Sequence, residues 1–242
     1  MGYEFDWLVL LTYKQLLIDG FIMTLKLSII GIFFAFLFGS IMGLARVSTN
    51  FFVSLFATYY IEFFRNIPLI VQMFFIYFSF TLTDTFPFLE TIGNWIGLEN
   101  YNEFFSALIA LITYTSTYIA EAIRGGIQSL PKGQMEAAKT LGMTYSQSMY
   151  NIVFPQAIKI VWGPITSQFI NLIKNSSLAM TIGVAELTFQ TQEIDSITFR
   201  GFEAATAVTL LYLFLTLFTS TIMSLVDKYA LIKTSRVKGS IR

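Results

Sequence analysis

The sequence predicts an all-α integral membrane protein with five transmembrane helices, and three observations carry that reading. Of the 242 residues, 55% are hydrophobic and 12% charged, with a mean hydropathy of +0.66. So little polar area cannot cover a soluble globule of this length. Five apolar segments are also long enough to cross roughly 30 Å of hydrocarbon, which takes about 20 helical residues each. Finally, the basic residues gather in alternate connections between those segments, as the positive-inside rule describes. The chain has no Cys and no His. That removes disulfides, thiolate nucleophiles, imidazole bases and the usual Zn, Cu and haem ligands, so no metal site is expected and any catalysis would rest on carboxylates and hydroxyls.

Residues 1–19 are acidic and place no basic region before their apolar positions, so they read as an external N-terminal segment and not as a cleavable signal peptide. The first span is expected at 20–45, where Gly39 and Gly43 form a G-x-x-x-G pattern that lets a second helix approach closely. The apolar run from Phe51 is too long for one straight span. Residues 51–64 therefore suit an interfacial helix, and the second span, 60–82, bends at Pro68, whose ring removes a backbone donor. Residues 83–102 hold Pro87, Trp95 and Tyr101 and read as an interfacial cap. The third span is expected at 104–123, the fourth at 160–183 and the fifth at 204–226, with a polar loop at 124–159. The transmembrane domain thus covers 20–226, and 227–242 is a basic tail.

An odd number of crossings puts the two ends on opposite sides. Arg46, Arg124, Lys132, Lys139 and Lys159 fall in two alternate loops, and Lys228, Lys233, Arg236, Lys238 and Arg242 in the tail. These are cytoplasmic by the positive-inside rule, so the N-terminus is outside. Connections on the other side are acidic, with Lys14 and Arg200 as their basic residues.

Charge inside a membrane helix must be paired, solvated or used. Glu62 with Arg65 and Glu121 with Arg124 are i,i+3 neighbours near the cytoplasmic end and read as gating or structural ion pairs. Lys174 is different: it lies deep in the fourth span beside Asn175, Ser176 and Ser177, with no acidic residue within a helical turn. A lone ammonium there must face water, a ligand or a partner on another helix or subunit. One motif is a decoy. Residues 133–140 read G-Q-M-E-A-A-K-T, superficially a phosphate loop, but Ala138 stands at the second glycine, Glu136 would repel phosphate, and no strand precedes it. Any ATP machinery belongs to a separate polypeptide.

The most informative segment is Glu136-Ala137-Ala138, then Gly142, then Ile152-Val153-Phe154-Pro155. A short helix, a glycine break and a second short helix form a compact knob suited to another protein's groove. The pattern resembles the E-A-A-x3-G-x9-I-x-L-P loop in permease subunits of binding-protein-dependent ABC importers, with Phe154 where that family prefers leucine. Further blocks match the polar amino acid branch: Thr24-Leu25-Lys26-Leu27-Ser28; Glu62, Arg65-Asn66-Ile67-Pro68-Leu69 and Gln72; Ala120-Glu121, Arg124-Gly125-Gly126; and Asn171-Leu172-Ile173-Lys174-Asn175-Ser176-Ser177-Leu178.

The resemblance implies the type I ABC importer permease fold, with a cytoplasmic coupling helix between helices 3 and 4. Glu136, Ala137, Ala138, Leu141 and Gly142 would meet ABC ATPase subunits, which bind ATP and Mg, leaving this chain without a cofactor. A second permease copy or paralogue, an extracytoplasmic amino-acid-binding protein and a bacterial inner membrane are also implied, and no nucleic acid. Lys174, Asn175, Ser176, Ser177 and Gln72 become substrate-path candidates. Permeases of the branch often carry aspartate after that lysine, and neutral Asn175 looks like the glutamate and aspartate permeases, so glutamate, aspartate or glutamine is expected, with arginine or histidine as the alternative. A channel would call for a repeated pore loop or a ring of like charge, and a membrane enzyme for a convergent acid, base and nucleophile; neither pattern is present.

Overall fold

The computed structural model describes residues 4–231, with the side chains of Lys132, Ala230 and Leu231 left out. Lys233, Arg236, Lys238 and Arg242 of the expected basic tail lie outside the described residues. Among those described there are helices and turns and no strand. In chain order the α-helices are α1 (Val9–Thr12), α2 (Lys14–Arg46), α3 (Phe51–Arg65), α4 (Leu69–Ser79), α5 (Leu82–Thr85), α6 (Phe88–Trp95), α7 (Tyr101–Gln128), α8 (Lys132–Thr140), α9 (Tyr145–Ser148), α10 (Phe154–Asn175), α11 (Leu187–Thr198) and α12 (Gly201–Val226). A π-helical stretch, Met149–Val153, leads into α10, and a 3-10 stretch, Ser176–Ile182, continues it.

Three described helices are long and apolar enough to cross a membrane: Lys14–Arg46, Tyr101–Gln128 and Gly201–Tyr229. The first of these starts earlier than the sequence reading placed it, because the helix continues through Lys14 to Asp19. The second expected span does break at Pro68, as the sequence implies: α3 and α4 meet at 97° and count as one span only if the bent pair is taken together. Asn66 caps α3, and Pro68 is extended with ψ 137°, so the ladder ends where proline has no N–H to give. The 11 residues of α4 reach only about 16 Å, roughly half the hydrocarbon thickness. The separate helix expected at 51–64 is present as α3. It starts at Asn50, whose side chain accepts from the amides of Phe52 and Val53.

Contacts divide the chain into two units, to both of which α2, α7, α10 and α12 contribute residues. The first comprises Met1–Ala35, Ile67–Tyr114 and Asn171–Leu217. Its core joins Ile173, Leu187, Val208 and Leu215 to Leu17, Phe21 and Leu25 of α2. The close approach of α2 and α11 requires a residue without a side chain at Gly20, where a Cβ would stand 2.6 Å from Gln190 Cγ and 3.2 Å from backbone of Glu186 and Leu187. Buried Thr24 accepts from the Leu187 amide at 3.2 Å. The expected cap at 83–102 consists of α5 and α6. It is tied down where Tyr101 donates to Asn94 at 2.7 Å and the Leu82 amide donates to Asn102 at 2.8 Å.

The second unit comprises Phe36–Asn66, Thr115–Ile170 and Phe218–Arg242. Here the G-x-x-x-G pattern of α2 is a real helix contact. A Cβ on Gly39 would lie 2.7 Å from Ile119 Cβ and 2.8 Å from the Ser116 carbonyl, and one on Gly43 2.9 Å from the Ala120 carbonyl. Tyr60 of α3 reaches Ser116 of α7 at 2.8 Å, and Trp162 of α10 donates to the Met223 carbonyl at 3.0 Å. Pro164 sits inside α10, removing one backbone donor from it.

Candidate functional site

The loop carrying the Glu136 motif folds as helix, break, helix. Leu141 caps α8, and Gly142 takes φ +77°, a left-handed conformation that disfavours any side chain with a β-carbon. Two backbone bonds close the end, from the Met143 amide to the Ala138 carbonyl at 3.1 Å and from the Gly142 amide to the Lys139 carbonyl at 3.0 Å. This is the double closure of a Schellman motif. Thr144 then starts α9 with a reciprocal capping box to Gln147. Gln134 and Gln156 exchange side-chain hydrogen bonds at 3.1 and 2.7 Å, tying α8 to the start of α10. The knob is thus held at both ends. Glu136, Ala137 and Gly142 are exposed and Leu141 is 81% exposed. Ala138 is not part of that outer face, as the sequence reading had it: it is buried, because it points back from α8 into the unit.

The ion pairs differ from their sequence reading in partner. Glu121 and Arg124 do pair, at 2.8 Å. Glu62 and Arg65 form no ion pair with each other among the described residues. Glu62 instead meets Arg46 at 2.9 Å, and Arg65 meets Glu121 at 3.4 Å. Arg46 also bonds Glu121, so one carboxylate is shared by three guanidinium groups from three helices. The Arg65 guanidinium stands 5.9 Å from the Tyr118 ring centre. The place of Arg46 at the end of α2, after G-x-x-x-G, is what brings it against α7.

Of the five substrate-path candidates, Lys174 and Ser177 line one hollow of about 400 Å³ in the first unit. The Lys174 side chain is exposed, with no hydrogen bond or ion pair among the described residues. Ser176 is buried and donates to the Ile173 carbonyl at 2.7 Å, Asn175 marks the change from α to 3-10 helix, and neither lines the hollow. Gln72 is also elsewhere: it is buried and donates to the Ile67 carbonyl at 2.9 Å, tying down the backbone before Pro68.

The rest of the lining was missed in the sequence. Thr188 and Thr191 come from α11, and Thr209 and Tyr212 from α12, over an apolar floor of Ala205 and Val208. The available signal was spacing, since each pair is i,i+3 and therefore shares a helix face. No carboxylate lines the hollow. Glu186 stands behind it, fully buried, accepting from Tyr212 at 2.5 Å and from the Thr188 and Phe189 amides at 2.9 Å each as the N-cap of α11. Burial pushes the Glu186 carboxyl above its ordinary value, against those hydrogen bonds, which act to lower it.

Long apolar helices, an exposed knob and an open hollow rimmed by hydroxyls and one lysine suit a permease, and comparison agrees. Over residues 16–230 the chain matches the family described as binding-protein-dependent transport system inner membrane component, and it belongs to that family. It is a membrane transport permease and not an enzyme. It is 35% identical over 239 residues to the glutamate/aspartate import permease protein GltJ of Escherichia coli (strain K12), covering 94% of this chain and 96% of that one. It is 41% identical over 199 residues to the probable glutamine ABC transporter permease protein GlnM of Bacillus subtilis (strain 168), covering 82% and 86%. A solved structure titled as an amino acid ABC transporter with histidines superposes with a TM-score of 0.77 at 34% identity, covering 93% of this chain and 99% of that one. The MetNI methionine ABC transporter, at 19% identity and a TM-score of 0.71, shares the fold.

Proposed function

We propose that this chain is the translocating subunit of an ABC importer for an acidic amino acid or its amide: glutamate, aspartate or glutamine. The observation that carries the substrate class is the unpaired Lys174 in a hydroxyl-lined hollow without a carboxylate. An ammonium there attracts a carboxylate side chain, and even at an effective dielectric near 20 a charge contact at 4 Å is worth about 4 kcal/mol. Relatives that carry glutamate/aspartate and glutamine in their names support the same class. Residues 20–226 form the permease domain, crossing the bacterial inner membrane five times with residues 1–19 outside and 227–242 in the cytoplasm. The short bent pair α3–α4 supplies the second crossing and α10 with its 3-10 extension the fourth. A single Cys at Ser146, in the 124–159 loop, is expected to label only from the cytoplasmic side; labelling from outside intact cells would reverse the orientation.

Two such subunits, or this chain and a paralogue, would enclose the path, with ABC ATPase subunits seated on the α8 knob and an amino-acid-binding protein on the opposite face. Closure of the ATPase pair on ATP and Mg moves the knobs, and Glu136, Ala137, Leu141 and Gly142 transmit the motion, with Ala138 anchoring the helix from beneath. The Glu121 cluster holds α2, α3 and α7 together as the path opens and closes. A reading for basic amino acids rests on the solved relative titled with histidines. Uptake competition in vesicles with one fixed binding protein separates the two. Native protein should take glutamate or glutamine before arginine, and Ser177→Asp, which puts a carboxylate beside Lys174 in the hollow, should weaken acidic uptake; preferred arginine uptake by the native system would overturn the substrate class.

A further inference from the structure

We propose that a second polar cavity in the first unit binds the zwitterionic head of an α-amino acid, the part common to all of them. The cavity measures about 410 Å³, and its polar lining is Asp19 and Lys26 of α2, Glu99 and Asn100 before α7, and Gln190 of α11. Asp19 and Lys26 are seven residues apart, two helical turns, and so face the same side. The site shares no residue with the Lys174 hollow, and its failure would leave that reading standing.

The charges do not neutralise one another. Lys26 donates to the Gly97 carbonyl at 3.0 Å, which leaves two of its three protons, and it forms no ion pair with Asp19 or Glu99 among the described residues. Asp19 accepts from Gln15 at one oxygen, at 3.0 Å. Gln190 is 5% exposed; its amide nitrogen donates to the Ala185 carbonyl at 3.3 Å, while its Oε1 is shielded from solvent and has no partner among the described residues. The close contact with Gly20 limits where that side chain can go.

A buried carbonyl oxygen without a donor is costly, and a donor entering the cavity removes the cost. An ammonium has three protons to place, and Asp19, Glu99 and Gln190 supply three acceptors. A carboxylate needs donors, and Lys26 and the Asn100 amide supply them. A simple cation would be repelled by Lys26, and a simple anion by Asp19 and Glu99. A zwitterion satisfies both signs. The rest of the wall, which includes Leu16, Ile22, Met23, Phe104 and Val184, is apolar, so the site grips the α-groups and tolerates different side chains.

A phospholipid headgroup with a primary ammonium offers the same chemistry, and the test separates the two. The native chain has no cysteine, so Ile22→Cys, introduced into the full transporter complex in lipid nanodiscs, gives this chain one reporter on the cavity wall, read by the mass of this chain alone. Glycine, glutamate and arginine at equal concentration should each slow its alkylation by a maleimide several-fold, whereas N-acetylglycine and glycinamide, which lack one charge each, should not. Lys26→Met and Glu99→Gln should each abolish the protection. Equal protection by the singly charged analogues, no protection by the three amino acids, or protection that survives both substitutions would overturn the proposal. Slow alkylation in phosphatidylethanolamine but not phosphatidylglycerol discs, unaffected by amino acids, would assign the cavity to lipid and overturn it too.

Discussion

Replacing Gly142 by valine isolates one property of the α8 knob, the left-handed turn that ends the helix. A Cβ built at Gly142 meets no atom within 4 Å, so the substitution causes no clash. Its effect falls on the backbone alone. At φ +77° a residue with a β-carbon is strained, and a β-branched one more so, by about 1–3 kcal/mol. That lowers the occupancy of the capped conformation about 5- to 150-fold relative to alternatives in which the two closing hydrogen bonds are lost. The knob then presents Glu136 and Leu141 in a scatter of orientations. In vesicles with its ATPase and binding protein, Gly142→Val should insert normally yet transport less amino acid per ATP hydrolysed. Gly142→Asn, which tolerates the left-handed region, should retain most coupling. Normal coupling in the valine variant, or equal loss in both, would refute the reasoning.

Two further outcomes follow from the packing of α2 and α7. Gly39→Ala places a β-carbon 2.7 Å from Ile119 Cβ and 2.8 Å from backbone, and should cost about 1–3 kcal/mol as a lowered melting temperature in detergent, while Gly125→Ala, with open space around it, should be neutral or stabilising. Glu121→Gln strips the shared partner from Arg46, Arg65 and Arg124 and should destabilise by about 1–3 kcal/mol, whereas half-exposed Glu62→Gln, whose one ion pair among the described residues is with Arg46, should cost less than about 1 kcal/mol; thermal unfolding of the two variants side by side gives the order.

Much of this protein was legible without coordinates because the signals involved are short-range. Composition alone placed it in a membrane. Pro68 favours a helix break because a missing N–H and a ring clash are properties of the residue itself, and Gly142 closes α8 for the equally local reason that glycine adopts positive φ without strain. The helix, glycine break and second helix around Glu136 follow from the same local cause. What tertiary structure decided were choices among partners that look equivalent along the chain. Glu62 has Arg65 one turn away and Arg46 on another helix, and only the approach of α2 to α7 through Gly39 and Gly43 settles it for Arg46. Ala138 and Ala137 are the same residue at adjacent positions, and the seat of α8 buries one and exposes the other. Gln72 was as polar a candidate as Lys174, yet it is occupied by a carbonyl five residues back. The hollow around Lys174 takes its threonines and Tyr212 from helices that enter the sequence later. Their convergence depends on how three helices pack, and packing energy is not carried by any one of them.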